Sequence, residues 1–210
     1  MSQVLAEKLL QIRTRIDYQG FFLGLVCMAM TLSLLVGDLQ TSTSISERQM
    51  EDRLVSLGQV MPVTLYDNNP LTEPIRINDD TLGAMEVYPA KLSGTLTAVA
   101  FQVKTIGYGG EIKLMMGVTR KGDILGVRVL SHKETPGLAD KIEIGKSDWI
   151  KKFEGMSLQN TTVKEWAVKK DGGKIDQFTG ATITPRAMVK GIHAGLEFYQ
   201  RHLDQITNTH

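Results

Sequence analysis

Between Asp176 and Thr184 the chain reads Asp176-Gln177-Phe178-Thr179-Gly180-Ala181-Thr182-Ile183-Thr184, an order of residue types that suits a hydroxyl carrying a phosphate group. Small Gly180 and Ala181 leave the Thr182 hydroxyl open to close approach by a second molecule. Thr184 is a favourable helix N-cap and Pro185 suits the first helical position. A phosphate joined to Thr182 would then lie near the unpaired amides and positive dipole end of that helix. The alternative is an ordinary loop entering a helix, and the short Gly-Ala-Thr run alone leaves both readings open.

A second constellation is His132-Lys133-Glu134-Thr135-Pro136-Gly137-Leu138. A planar heterocycle such as a flavin needs donors and acceptors at its pyrimidine edge and apolar cover on its faces. Glu134, Thr135 and nearby amides can supply the first and Leu138 the second. The competing reading is a polar turn leaving a strand. His132 has no companion at metal-ligand spacing. Gly107-Tyr108-Gly109-Gly110 reads as a tight glycine turn, because no strand-to-helix context makes it a phosphate loop.

The whole chain narrows the choice. Its 210 residues allow one domain plus a smaller segment. With 24 basic against 23 acidic residues, no polyanionic partner is implied, which argues against nucleic-acid binding. The single cysteine, Cys27, excludes an internal disulfide framework, a Cys-held iron–sulfur cluster and a Cys-rich zinc site. No nucleophile with a base and an orienting group stands out, so independent substrate chemistry is not expected.

Residues 20–37 contain neither charge nor proline and are apolar on every side, which fits a transmembrane helix better than a buried core helix. The run is longer than a signal-peptide core and no Ala-x-Ala site follows it. Val26 before Cys27 does not suit a lipoprotein signal. An uncleaved single-pass anchor is expected. Lys8, Arg13 and Arg15 precede it, whereas Asp38 and Glu47 lead on the other side, placing the N-terminus in the cytoplasm. Val4, Leu5, Leu9, Leu10 and Ile12 predict a short amphipathic helix ahead of the span.

Beyond the span, Ile45, Met50, Leu54, Leu57 and Val60 predict a helix that stops before Pro62, followed by a loop-rich stretch. Strands are predicted at 95–104, 112–119 and 124–132, the last two joined by a hairpin at Arg120-Lys121-Gly122-Asp123. Ser147 should cap a short helix carrying Trp149, Ile150 and Phe153. Trp166-Ala167-Val168 reads as another strand, turned at Asp171-Gly172-Gly173. An amphipathic helix over 185–203 closes the chain, with Met188, Ile192, Leu196, Tyr199 and Leu203 on one stripe. The expected fold class is α+β, an antiparallel-rich sheet with flanking helices behind one transmembrane helix.

Four motifs in this order, Gly107–Gly110, His132–Leu138, Trp166–Gly173 and Asp176–Pro185, closely resemble the G subunits of Rnf (Rsx) electron-transport complexes, within the FMN-binding domain family. The resemblance runs from about Ser46 to Leu203, with the anchor ahead of it. It divides the chain into a cytoplasmic segment 1–19, a transmembrane helix 20–37, a connecting helix and loop region 38–94, and an FMN-binding domain 95–210.

It implies FMN held covalently, by a phosphoester bond to Thr182. Asp176, Thr179, Gly180 and Ala181 match the recognition sequence of a periplasmic flavin transferase of the ApbE type. Glu134, Thr135 and Leu138 match residues near the isoalloxazine ring, and Thr184, His132 and Lys169 join them as cofactor-binding candidates. The implied setting is the bacterial inner membrane with the flavin domain in the periplasm. The implied partners are the A, B, C, D and E subunits of a complex linking ferredoxin and NAD to ion translocation. Ala139 departs from the pattern, since relatives often carry glycine there, and the segment before Gly20 is longer than usual. The C subunit of the sodium-pumping NADH:quinone oxidoreductase shares the flavinylation motif and is the alternative, although the shorter exported part and the wording of Trp166–Gly173 favour the Rnf protein. A flavin-free periplasmic assembly or binding domain and a membrane-anchored flavin reductase are the rivals from other classes.

Overall fold

The computed structural model describes residues 16–208, with side chains at 19–38 and 55–208. Lys8, Arg13, Arg15 and the amphipathic segment expected around Val4 to Ile12 lie outside the described residues. The chain divides into two compact units, Met1–Asp52 and Arg53–His210.

The first unit contains most of helix α1 (Ile16–Val60). Within it, Gln19–Asp38 has a mean hydropathy of 2.1 and is long and apolar enough to cross a membrane. Its large side chains point outward on every side, Phe21, Leu25, Met30 and Leu34 among them. The Thr31 hydroxyl donates to the Cys27 carbonyl at 2.8 Å, which satisfies a polar group inside the apolar run.

The second unit is an antiparallel five-stranded meander, β1 (Ile75–Asp79), β2 (Gly83–Leu92), β3 (Thr95–Ile106), β4 (Glu111–Thr119) and β5 (Ile124–Ser131), paired in chain order. The fold class is α+β, as the sequence implies. The three strands expected from residue 95 onward are present, and β4 and β5 meet across the expected hairpin, where Gly122 takes a φ of +92°. The sheet also has two strands in the stretch read as loop. β1 is only five residues long and β2 is buried on both faces from Val87 to Ala90, so it lacks the alternation that betrays a strand.

Pro89 lies within β2 beyond the end of β1. Its carbonyl faces outward to accept from the Asn68 amide at 3.0 Å, so its missing N–H falls on the same unpaired edge.

Both faces of the sheet are covered. On one, Leu57 and Val60 from the end of α1, with Met61, pack on Tyr88, Ala90, Ala98, Ala100 and Met115. A Cβ on Gly117 would stand 2.2 Å from the Val60 carbonyl oxygen, so glycine is what lets the helix end sit on the strand.

On the other face lies helix α2 (Ile183–Asn208), which buries Met188, Ile192, Leu196 and Tyr199, with Leu203 partly buried. Phe101 meets Phe198 edge-on, with ring centroids 5.4 Å apart. The Tyr199 hydroxyl donates to the Arg120 carbonyl at 3.0 Å, and burial pushes its phenol up to about 12. Farther along, Asp79 accepts from Arg201 at 2.8 Å and pairs with His202 at 3.1 Å, tying the end of α2 to the β1–β2 turn.

Trp166-Ala167-Val168 is not a strand. Val168 makes one isolated bridge to Ile175, and the chain then reverses through a 3₁₀ turn at Lys169–Asp171 and Gly172, whose φ is +85°. Trp166 is buried beside Phe153, stacked with centroids 6.4 Å apart, and beside His193. Its apolar surface closes the core beneath a loop instead of joining a ladder.

Candidate functional site

The segment before α2 is held from below by aromatic rings. Ser147 caps the 3₁₀ helix Asp148–Phe153 as expected, its hydroxyl accepting from the Trp149 amide at 3.1 Å. Trp149 donates its indole N–H to the Asp176 carbonyl at 2.7 Å and leans on Phe178, with ring centroids 5.0 Å apart. From there the chain makes a tight turn. The Ala181 amide returns to the Phe178 carbonyl at 3.1 Å, and Thr179 and Gly180 form the exposed tip. Gly180 has a φ of +81°, a conformation glycine adopts without strain.

Thr182 follows at the N-cap. Helix α2 starts at Ile183, and the Thr182 carbonyl accepts the first helical bond, from the Arg186 amide at 3.3 Å. This corrects the expected cap at Thr184. That residue lies inside the first turn and is fully buried, and its hydroxyl donates to a carboxylate oxygen of Glu134. The Thr182 side chain is half-buried, and among the described residues its hydroxyl has no hydrogen-bond partner. The amides of the first turn and the helix dipole make this position favourable for negative charge.

Around the turn, charge is arranged in pairs. Asp176 accepts from Lys152, and its other carboxylate oxygen lies 2.5 Å from the Lys169 ammonium. The Lys152 and then the Lys169 bond hold its carboxyl below the usual carboxylate range. Asp171 takes a two-pronged contact from Arg186, both bonds 2.6 Å long, which lowers the carboxyl and raises the guanidinium. Lys169, named from sequence as a cofactor-binding candidate, is thus paired with Asp176. Sequence reading marks Asp171 only as a turn residue and passes over Lys152 and Arg186, because each reaches its partner over fifteen or more positions.

Glu134, in the loop after β5, is buried and receives donors from two directions: the Gly109 amide at 2.9 Å on one oxygen and the Thr184 hydroxyl on the other. The Glu134 amide donates to His132 Nδ1 at 3.0 Å, so the ring proton lies on Nε2, which faces Glu143 at 2.7 Å. The Gly107–Gly110 turn is glycine-rich for a steric reason. A Cβ on Gly107 would stand 2.4 Å from Glu134 Oε1, and one on Gly109 would stand 2.0 Å from the Lys133 carbonyl oxygen.

Thr135 is exposed, and its carbonyl accepts from the Leu138 and Ala139 amides, each at 3.2 Å. Leu138 is 42% exposed and stands 3.6 Å from where a Gly180 Cβ would lie, which puts an apolar side chain beside the Thr179–Gly180 tip. Ala139 adopts φ −108° and ψ −7°, so this turn has no need of glycine there. The structure thus gathers the glycine turn, the His132–Leu138 loop and the Asp176–Thr184 segment at one end of α2.

The FMN-binding domain family matches residues 107–197, which begin at the glycine turn and end within α2. The G subunit of the ion-translocating oxidoreductase complex of Stutzerimonas stutzeri is 56% identical over 189 residues, covering 90% of this chain and 83% of the relative. The chain belongs to the family of G subunits of ion-translocating oxidoreductase complexes. The corresponding G subunit of Cereibacter sphaeroides is 50% identical over 183 residues, covering 87% and 84% of the two chains. Among solved structures, the C subunit of the Na(+)-translocating NADH-quinone reductase of Parabacteroides distasonis shares the fold, with a TM-score of 0.50 at 19% identity over 75% of this chain and 94% of that one. For this G subunit, the matched domain supports FMN as the cofactor.

Proposed function

We propose that this G subunit holds FMN bonded through its phosphate to Thr182 and relays electrons within an Rnf complex. The reading rests on one observation above others: Thr182 is a half-buried threonine at the N-terminus of α2 whose hydroxyl is unengaged among the described residues, in a domain of the FMN-binding family. The residues around it fit the group. The first turn of α2 supports a phosphate, Lys169 and Lys152 lie beside the recognition sequence, and Leu138 offers apolar surface for a planar ring.

Bound FMN supplies one- and two-electron transfer. The work left to the protein is binding and orientation. Trp149 and Phe178 hold the loop, Gly180 shapes its tip, and Leu138 stands beside that tip. Attachment requires an external flavin transferase of the ApbE type. Asp176, the one carboxylate of the segment, is engaged by two lysines and is not a free base for activating Thr182.

The names of the relatives and the membrane-length helix support a place in an ion-translocating oxidoreductase complex of a membrane, and we take its electrons to pass between ferredoxin and NAD. We place the N-terminus in the cytoplasm and the flavin domain in the periplasm of a bacterial inner membrane, on the charge bias around the span. The A, B, C, D and E subunits are the partners. The test is intact mass of the chain produced with the transferase. The expected result is a gain of one FMN less water, located on Thr182 by peptide sequencing and absent from Thr182→Ala. A flavin retained by that variant would refute the assignment.

A further inference from the structure

The segment offers three hydroxyls within six positions, Thr179, Thr182 and Thr184, and two of them flank the start of α2. Their surroundings differ. Thr179 is exposed at the tip of the turn, and Thr182 is half-buried with its hydroxyl unengaged among the described residues. Thr184 is fully buried, and its hydroxyl is spent on Glu134. Glu134 is itself held in place by the Gly109 amide, and the approach of that turn is possible only because Gly107 and Gly109 lack side chains. A carboxylate accepting from an amide on one oxygen and a hydroxyl on the other is a strong, directional clasp.

We propose that Glu134 is a positioning residue that determines which threonine is modified, by turning the Thr184 hydroxyl inward and leaving Thr182 as the acceptor at the helix start. This rests on the FMN attachment proposed above. It gives Glu134 and Thr184 a different task from contact with the flavin ring. Forming a phosphoester in water requires an activated donor, and a flavin dinucleotide has the needed chemistry. One P–O bond of its pyrophosphate breaks, the bond from phosphorus to the threonine oxygen forms, and the hydroxyl proton leaves with the departing nucleoside monophosphate. Any threonine whose hydroxyl is free at the helix start can compete for that phosphorus. The Glu134 clasp removes Thr184 from the competition.

The experiment compares wild type, Glu134→Ala, Glu134→Gln and Thr184→Ser as full chains produced with the transferase. The modified residue is mapped by peptide sequencing, and folding is checked by thermal melting. In Glu134→Ala the ratio of FMN on Thr184 to FMN on Thr182 should rise by about tenfold or more, the scale set by losing a hydrogen bond to a charged acceptor. Glu134→Gln keeps an acceptor for the Gly109 amide and a polar partner for Thr184, so it should restore modification at Thr182 alone. Thr184→Ser keeps the hydroxyl and the clasp, so it should match wild type. Modification only at Thr182 in a folded Glu134→Ala chain would overturn the proposal. A wild-type chain with no FMN on Thr182 would instead overturn the attachment on which it rests.

Discussion

Gly109→Ala tests the packing that brings the motifs together. The new Cβ would stand 2.0 Å from the Lys133 carbonyl oxygen and 2.6 Å from its carbon, whereas ordinary contact begins at 3.4 Å. Both obstacles are backbone, so no side chain can swing aside. The glycine turn and the loop after β5 must separate by more than an ångström. That movement breaks the 2.9 Å bond from the Gly109 amide to Glu134, a buried carboxylate. Overpacking costs about 1–3 kcal/mol and the lost charged bond about 1.5–3 kcal/mol, so the sum should be roughly 2.5–6 kcal/mol. For a domain of this size that is a fall of about 10 °C in Tm. Thermal melting of the full chain in detergent, followed by circular dichroism, reads it directly. Gly145→Ala is the control, because nothing lies within 4 Å of its Cβ position, and it should stay within about 0.5 kcal/mol of wild type. A Gly109→Ala chain melting within about 2 °C of wild type would show that the loops are not in this close contact.

Three further outcomes follow from the structure. Thr182→Val removes a hydroxyl that has no partner among the described residues, so it should cost about 0.5 kcal/mol or less while abolishing the FMN mass shift. The variant should still assemble with its partners while ferredoxin-to-NAD turnover collapses, and near-normal coupled turnover in a flavin-free assembled complex would sink the relay reading. For Asp79, burial pushes the carboxyl up, but bonds from Arg201, the Leu82 and Thr81 amides and His202 outweigh it and hold the group well below the usual carboxylate range. Its stabilisation is therefore complete above the carboxylate range of the unfolded chain and lost as pH falls through the folded value. Asp79→Asn should lose about 2 kcal/mol at neutral pH, with melting curves converging with wild type only in strong acid. A phosphatase fused after His210 should be active in cells, and a reporter that works only in the cytoplasm should be silent there. The opposite pattern would place the flavin domain on the other side of the membrane.

Local chemistry was legible in the sequence wherever neighbours along the chain decide the outcome. The uncharged run from Gly20 to Gly37, the hairpin at Arg120–Asp123, the Ser147 cap and the amphipathic stripe of α2 each depend on periodicity or turn residues within a few positions. The order of the four motifs was sufficient to indicate the family. Tertiary structure alone decided what those motifs do to one another. β2 has no alternating pattern because both its faces are covered, and Trp166 looks like a strand residue but serves as core beneath a loop. Thr184 has the residue type of a cap, yet the helix begins one residue earlier, and its hydroxyl turns to a carboxylate fifty positions away. The Thr182 hydroxyl, two positions earlier, is left without a partner among the described residues. Sequence patterns record which groups are available, but which of them are already paired depends on partners that only folding brings within reach.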